Sequence, residues 1–362
     1  MAHNKQLGGR LSDGSGEMHM TASPLKPVQI IGGGIAGLSL GLALRRAGVS
    51  VTLIEAGDYP RHRVCGEFIT GLDTGTIDRL GLAPILADAQ HHREVSWFLR
   101  DRLLRRQMLP DPALALSRHV LDQRLANAFV SAGGELRTHT RADLEQTPDG
   151  RVFATGRRPA RSDWIGLKCH AYGLALKSEL EFHLGDNAYV GLCVVEEDRV
   201  NVSGLFRQRP GFGLTRETAL LTYLRASGLA DLAHRLSEVE IDPASFSAVA
   251  GLGFSKPTAR ADRLVIGDTF AMIPPFTGNG MAMAFQSAEC ALDPLLAWSR
   301  GEADWLVTLR KVNDRLRRRF RRRLASAKTL HPFLFNPQGQ RWLAVVNRAG
   351  LLPMRALYNV LH

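Results

Sequence analysis

Apolar positions in residues 28–55 change their period twice. Val28-Gln29-Ile30-Ile31 is a short apolar run that stops at Gly32. Leu38, Leu40, Leu42 and Leu44 fall on a helix ended by Gly48, and residues 49–54 return as a strand with Glu55 at its end. The order is strand, glycine turn, helix, strand. Farther along, residues 94–99 and 103–108 alternate like the two arms of a hairpin. Residues 178–183, 189–195 and 199–206 alternate in the same way within a longer stretch, 164–205, that predicts a mostly antiparallel sheet. Leu264-Val265-Ile266 is another short strand, and a helix is expected to begin near Met281. From about Trp298 the pattern is helical. Leu309, Val312, Leu316, Phe320 and Leu324 recur there at three- and four-residue steps.

The chain has 362 residues and 45% apolar content, enough for two domains or one large composite domain. Residues 1–24 form a polar lead-in rich in Gly and Ser, without an apolar signal region, and are expected to be disordered. The longest apolar stretch, residues 28–44, is broken by Gly32, Gly33, Gly34, Gly37 and Gly41, so no membrane span is expected. Cys65, Cys169, Cys193 and Cys290 are widely spaced and form neither a disulfide framework nor a zinc signature. A cytoplasmic protein, at most peripheral to a membrane, is the expectation, with no metal site.

Formal charge is +11, and its placement matters more than its size. Between Arg310 and Arg323 stand nine Lys/Arg against one acid, Asp314. The apolar stripe of that helix therefore lies beneath a basic face. Three readings follow: a solvated face, an anionic membrane surface, or an acidic carrier protein. No aromatic-interleaved or zinc-binding module accompanies the charge, so nucleic acid is not an expected partner.

The turn Gly32-Gly33-Gly34-Ile35-Ala36-Gly37 matches G-x-G-x-x-G. Gly32 permits the tight turn, Gly34 lets a pyrophosphate approach the backbone, and Gly37 lets helix and strand pack closely. The unpaired N–H groups of the helix N-terminus favour negative charge. Glu55 follows Gly37 by 18 residues, the right place for a carboxylate accepting ribose hydroxyls. This unit serves NAD and FAD alike.

Later segments carry a resemblance. They are Arg61-His62-Arg63-Val64-Cys65-Gly66-Glu67, Arg118-His119-Val120-Leu121-Asp122, Ala154-Thr155-Gly156-Arg157, and the run from Gly267-Asp268 through Pro274-Pro275-Phe276-Thr277-Gly278-Asn279-Gly280-Met281. With the N-terminal fingerprint, they resemble the p-hydroxybenzoate-hydroxylase superfamily of flavoproteins, in its geranylgeranyl-reductase-like branch, which is also similar to flavin-dependent halogenases. The resemblance spans residues 28–295. It implies FAD, with Gly32, Gly34, Ile35, Ala36, Gly37 and Glu55 at the nucleotide. It also implies Arg63, Cys65, Gly66, Arg118, Thr155, Gly156, Gly267, Asp268, Pro275, Gly278, Asn279, Gly280 and Met281 around the rest of the cofactor. Asp268 is expected at a ribitol hydroxyl, and the helix opening near Met281 at the N1/O2 edge of the flavin. Cys65 is expected beside the isoalloxazine as a candidate proton donor, or as a small buried hydrophobe. Arg61 and Arg63 would neutralise phosphate or flavin charge or be solvated, and their proximity is expected to lower the Cys65 pKa.

Departures from the family narrow the activity. Trp97, Trp164, Trp298, Trp305 and Trp342 are the only tryptophans, so the halogenase W-x-W-x-I-P motif is missing. Neither Asp13-Gly14 nor Asp149-Gly150 is followed by the Ser and Arg of the NADPH-dependent hydroxylases. Where the isoprenoid reductases have Y-x-W-x-F-P, this chain has Tyr189-Val190-Gly191-Leu192-Cys193, so a geranylgeranyl substrate is not inherited. Trp97, Tyr189 and Phe276 are the candidate substrate-pocket residues.

The expected fold is α/β: a Rossmann-type FAD-binding domain, an inserted mostly antiparallel substrate domain and a helical C-terminus. The FAD-binding domain comprises residues 25–90, 112–158 and 262–297. The substrate domain comprises 91–111 and 159–261, and the helical region 298–362. The expected activity is hydride transfer through flavin to or from an apolar polyketide- or isoprenoid-like molecule, with C=C reduction ahead of a monooxygenase that activates oxygen at flavin C4a. An FAD-binding scaffold or sensor is the non-enzymatic alternative. Only one nucleotide fingerprint is visible, so NADPH or NADH would visit transiently as donor.

Overall fold

The glycine-punctuated pattern folds as a βαβ unit. In the computed structural model, which describes residues 1, 24–157, 161–209, 215–216, 218–254, 262–349 and 358, β1 (Val28–Ile31) leads into α1 (Ile35–Arg46). The chain returns as β2 (Val51–Ile54), parallel to β1, with Ile30 opposite Leu53. The expected disordered lead-in, apart from Met1 and Pro24, lies outside the described residues. After β2 come the short β3 (Phe68–Ile69), α2 (Thr74–Leu80) and α3 (Ala83–Leu86). The expected hairpin is longer than its alternation suggested. It comprises β4 (Gln90–Leu99) and β5 (Arg102–Ala115), joined through Arg100 and Asp101, both at positive φ as a two-residue hairpin turn requires. Pro110 and Pro112 in β5 fall between Met108 and Ala113, where the register with β4 shifts, a place in a sheet that tolerates proline.

Next are α4 (Arg118–Ser131), β6 (Glu135–Arg137) and β7 (Arg151–Phe153). The Ser117 hydroxyl caps α4 by accepting from the Val120 N–H at 3.1 Å. Four strands follow: β8 (Trp164–Tyr172), β9 (Leu180–Gly185), β10 (Ala188–Val194) and β11 (Val200–Arg207). Then come α5 (Ala219–Ala226), α6 (Ala230–Ser237), β12 (Glu240–Ala250) and β13 (Leu264–Val265). The chain ends in α7 (Gly280–Ser299), α8 (Trp305–Phe335) and α9 (Pro337–Arg348). The sequence pattern did not reveal β12: its Asp242-Pro243 interrupts the alternation, and the register shifts there.

The strands form two sheets. One is five-stranded and parallel, in the order β13-β7-β1-β2-β6. Its Val- and Ile-rich strands are covered by α1, which is buried from Ile35 to Leu44 and packs against α4 and α7. The other is eight-stranded, in the order β12-β8-β11-β10-β9-β4-β5-β3, and is antiparallel except where β4 meets β9. Leu167, Cys169 and Ala171 of β8 point outward, into a core shared with Leu220, Leu224 and Leu232 of α5 and α6. The opposite face carries cross-strand rows. One row runs Trp97, Phe182, Gly191, Ser203, Lys168. The next runs Cys193, Asn201, His170. This inner face passes from aromatic to polar across the sheet.

The apolar stripe of α8 behaves as patterned, with Leu309, Val312, Leu316 and Phe320 buried. Among the described residues no helix is long and apolar enough to cross a membrane.

Candidate active site

The first half of the site is a cradle at the end of the parallel sheet. At Gly32, φ is +107°, and a Cβ there would run into the Ala154 carbonyl; at Gly37 it would strike the Gly32 carbonyl oxygen. Gly34 differs, because a Cβ there would meet no atom within 4 Å. Two glycines thus make room for protein, and one faces open space. No side chain caps the start of α1 and no acid stands in its first turn, although Ile35, Ala36 and Gly37 are buried. Buried, unpaired N–H groups at a helix start need an acceptor, and an anion fits. Glu55 accepts from the Gly33 N–H at 2.7 Å, the Gly57 N–H at 2.9 Å and Arg61 Nη2 at 2.7 Å. Burial opposes its charge, but these bonds and the guanidinium hold its carboxyl below the usual range.

Open space also lies at Gly156 and Gly280. Gly156 is tied to the Gly267-Asp268 turn: its N–H donates to Thr269 Oγ1 at 3.0 Å, and that hydroxyl lies 3.4 Å from Thr155 Oγ1. The Gly267 N–H donates to Ser287 Oγ at 2.9 Å, anchoring the turn to α7. Burial pushes the Asp268 carboxyl up, against the pull of Arg118, Arg157 and Arg63. Pro275 opens a short turn ending at Gly278 with φ +68°, and Asn279 then starts α7 without a side-chain cap. The helix predicted near Met281 therefore begins one residue earlier, at Gly280. Two uncapped helix starts, an anionic Glu55 and open space at three glycines fit a dinucleotide of the size and charge of FAD. Gly34, Ile35, Ala36 and Gly37 would hold its phosphates, and Glu55 a ribose.

The loop carrying Cys65 is clamped from both sides. Arg63 pairs with Asp122 at 3.2 Å, and Arg118 pairs with the same carboxylate at 2.8 and 2.7 Å. Arg61 pairs with Glu55. Neither Arg61 nor Arg63 is simply solvated. The expectation that these arginines lower the Cys65 pKa is overturned: burial pushes the thiol up, and the opposing Arg118 charge does not offset it. The physical reason is desolvation of the thiolate, to which the neighbouring Glu67 charge adds.

Sequence reasoning missed the polar floor under this loop. Asn201 Nδ2 donates to the carbonyls of Cys65 at 3.1 Å and Gly66 at 2.8 Å. Glu67 is fully buried. It accepts from the Arg118 N–H at 3.0 Å, lies 2.6 Å from His170 Nε2 and forms an ion pair with buried Lys168 at 3.4 Å. Burial alone would raise the Glu67 pKa, but the His170 hydrogen bond and the Lys168 charge hold it below the usual range. His62 lies 3.2 Å from Lys168 and stacks on His119 at 4.4 Å. Burial and then the Lys168 charge pull His62 down to about 4, so its ring is neutral at pH 7. A signal existed: Lys168 and His170 stand two residues apart in an otherwise apolar strand, on one face.

Beside the polar floor lies an apolar cavity of about 170 Å³, walled by Phe68, Trp97, Phe182, Leu184, Phe276 and Leu330 among others. It reaches Thr277, three residues before the open start of α7. Of the three pocket candidates, Trp97 and Phe276 line it. Tyr189 stands behind the wall, stacked on Phe182 at 5.2 Å and packed against Phe335 at 5.1 Å.

Comparison with known proteins bears on this arrangement. Residues 26–163 match the family model described as FAD binding domain. A menaquinone reductase of Mycobacterium tuberculosis is 26% identical over an alignment of 391 residues that covers 91% of each chain. A menaquinone reductase of Mycolicibacterium smegmatis is 29% identical over 132 residues, 35% of this chain, which spans about a third (32%) of that protein's length. Among solved structures, p-nitrophenol 4-monooxygenase of Pseudomonas putida superposes with a TM-score of 0.73 at 14% identity, over 93% of this chain and 97% of that one. HpxO of Klebsiella pneumoniae, solved with FAD and uric acid, gives 0.73 at 16% identity, over 92% and 96%. The structures share the fold. With the domain match and the cradle, they define the class: this chain is an FAD-dependent oxidoreductase.

Proposed function

We propose that the chain reduces a carbon–carbon double bond of an apolar, isoprenoid- or polyketide-like substrate, in the geranylgeranyl-reductase-like branch of its superfamily. The observation that carries this reading is the cavity: its wall is almost wholly apolar, and it ends beside the open start of α7. The likeness to two menaquinone reductases supports a quinone with an apolar tail as the substrate type. Reduced FAD, when bound, supplies the hydride. The chain's own residues do the rest. Trp97, Phe182 and Phe276 exclude water and hold the apolar substrate. Asn201 and the Glu67–Lys168 pair fix the loop that presents Cys65. Its thiol keeps its proton at neutral pH, which suits a proton donor rather than a nucleophile. NADPH or NADH, bound transiently, is the proposed electron donor, and residues 91–111 and 159–261 are the proposed substrate domain.

The competing reading is a monooxygenase, favoured by the fold shared with p-nitrophenol 4-monooxygenase. Anaerobic turnover separates the two. A menaquinone-type substrate should reoxidise the reduced protein without oxygen, and a strict oxygen requirement would overturn the reductase reading.

A further inference from the structure

The C-terminal helices present a face that neither cradle nor cavity uses. On α8, Arg318, Arg322, Ala325, Thr329 and Phe333 are exposed at three- and four-residue steps and form one stripe. Arg310, Arg317, Arg321 and Lys328 flank it, also exposed. Not every cation of this helix is available. Arg315 is neutralised by Asp293 at 3.0 Å, Arg319 by Glu289 at 2.6 Å, and Arg323 is buried with a bond to Gln286 at 2.8 Å. Arg317, Arg318, Arg321 and Arg322 form no ion pair among the described residues.

The stripe ends in exposed apolar side chains. Phe333 is 41% exposed, and its ring lies 6.0 Å from that of Trp342 on α9. Trp342 is 57% and Val345 63% exposed, between the exposed Arg341 and Arg348. The positive row from Arg310 to Lys328 runs about 27 Å along the helix. Such a row beside an aromatic and aliphatic edge is the composition of a helix pair lying in an anionic lipid interface, with guanidinium groups at the headgroups and Trp at the boundary. Phe333 and Leu334 of α8 and Leu343 and Asn347 of α9 also wall the cavity.

We propose that α8 and α9 dock this protein on an anionic bilayer surface, which brings the cavity wall to the membrane so that a lipid-dissolved substrate enters without crossing water. The docking stands without any reading of the substrate; only the route of entry rests on the proposed function. An acidic carrier protein would satisfy the arginines but leaves the adjoining Trp342 and Val345 without a reason.

The test is co-sedimentation of the full-length flavoprotein with vesicles of phosphatidylcholine alone or mixed with phosphatidylglycerol. Binding to the mixed vesicles only, weakening with added salt, is expected. Each basic residue near such a surface contributes roughly a fivefold change in partitioning. The quadruple variant R317E/R318E/R321E/R322E should therefore lose on the order of 10²- to 10³-fold. W342S/V345S should lose roughly tenfold or more through its apolar contribution. Both variants should keep their flavin and their thermal midpoint, since these side chains are exposed. No binding of the parent to mixed vesicles, equal binding by the quadruple variant, or capture by an acidic carrier protein without lipid binding would each overturn the proposal. None of these readouts depends on turnover, so failure of the reductase reading would show separately.

Discussion

Gly34 and Gly37 stand three residues apart in one turn, and substituting each by valine should fail for opposite reasons. At Gly34 the backbone has φ −83° and ψ −176°, ordinary extended geometry open to any residue. A Cβ there meets nothing within 4 Å. Gly34→Val should leave the flavin-free protein as stable as the parent: the restricted unfolded chain contributes about 0.4–1 kcal/mol, offset by the poorer N-cap residue. FAD binding should collapse, because the new methyl groups occupy the space in front of the α1 N–H groups. Hydrogen bonds to a charged acceptor contribute about 1.5–3 kcal/mol each. Losing two weakens FAD by roughly 3–6 kcal/mol, roughly 10²- to 10⁴-fold. Gly37→Val should instead damage the fold itself, since its side chain collides with the Gly32 carbonyl oxygen, backbone that cannot swing aside. Overpacking of that kind costs about 1–3 kcal/mol or more. The assay strips the flavin, measures thermal midpoints of the three apoproteins, and titrates each with FAD by fluorescence quenching. If Gly34→Val binds FAD within a few-fold of the parent, or its apoprotein is as unstable as Gly37→Val, the assignment of the cradle is wrong.

Three further outcomes are expected. Cys65→Ser should slow anaerobic reoxidation by substrate on the order of 10²-fold, and Cys65→Ala at least as much, with FAD still bound; single-turnover rates equal to the parent would leave the thiol a packing role. Glu67→Gln strands the buried Lys168 charge and should cost about 3–5 kcal/mol in urea unfolding. The double variant E67Q/K168M should regain part of that, and a double variant no better than the single would show that the pair is not coupled. Stability should also fall in acid. His331, half-buried among Trp164, Phe254 and Phe335, is pulled by desolvation from 6.5 down to about 4, in the same direction as His62. The unfolded chain takes up these protons below 6.5 while the folded chain refuses them until about 4, so the stabilisation is complete above 6.5 and lost as pH falls through that window. Burial opposes the Glu181 charge, but His183 and Arg235 hold the carboxyl at about 2, so its contribution is lost from 4.5 downward. Thermal midpoints against pH should show the decline, with a shallower slope for His331→Phe; a flat profile between 4 and 6.5 would refute it.

The nucleotide unit was legible in the sequence because it is local. Residues 28–55 carry strand, turn, helix, strand and terminal acid in one contiguous run, and the glycine spacing leaves that turn few alternatives. The inner face of the eight-stranded sheet was legible only as alternation. Period two shows that Lys168 and His170 share a face but not what they face, because their partner Glu67 lies about a hundred residues away on another segment. The cavity likewise depends on β4 pairing in parallel with β9, which sets Trp97 beside Phe182 across a long stretch of chain. Charge shows the same division. The sequence alone revealed a basic helix face and an apolar stripe beneath it. Only the tertiary structure neutralised Arg315 and Arg319, buried Arg323 and left Arg317, Arg318, Arg321 and Arg322 free of ion pairs among the described residues. At Cys65 the chain shows arginines nearby, whereas the fold commits Arg63 and Arg118 to Asp122 and half-buries the cysteine, so desolvation outweighs the expected electrostatic activation. Local spacing determines where a backbone can turn and which residues share a face; the partner and solvent each side chain finds are set by segments far away in sequence, and those decide its charge and its chemistry.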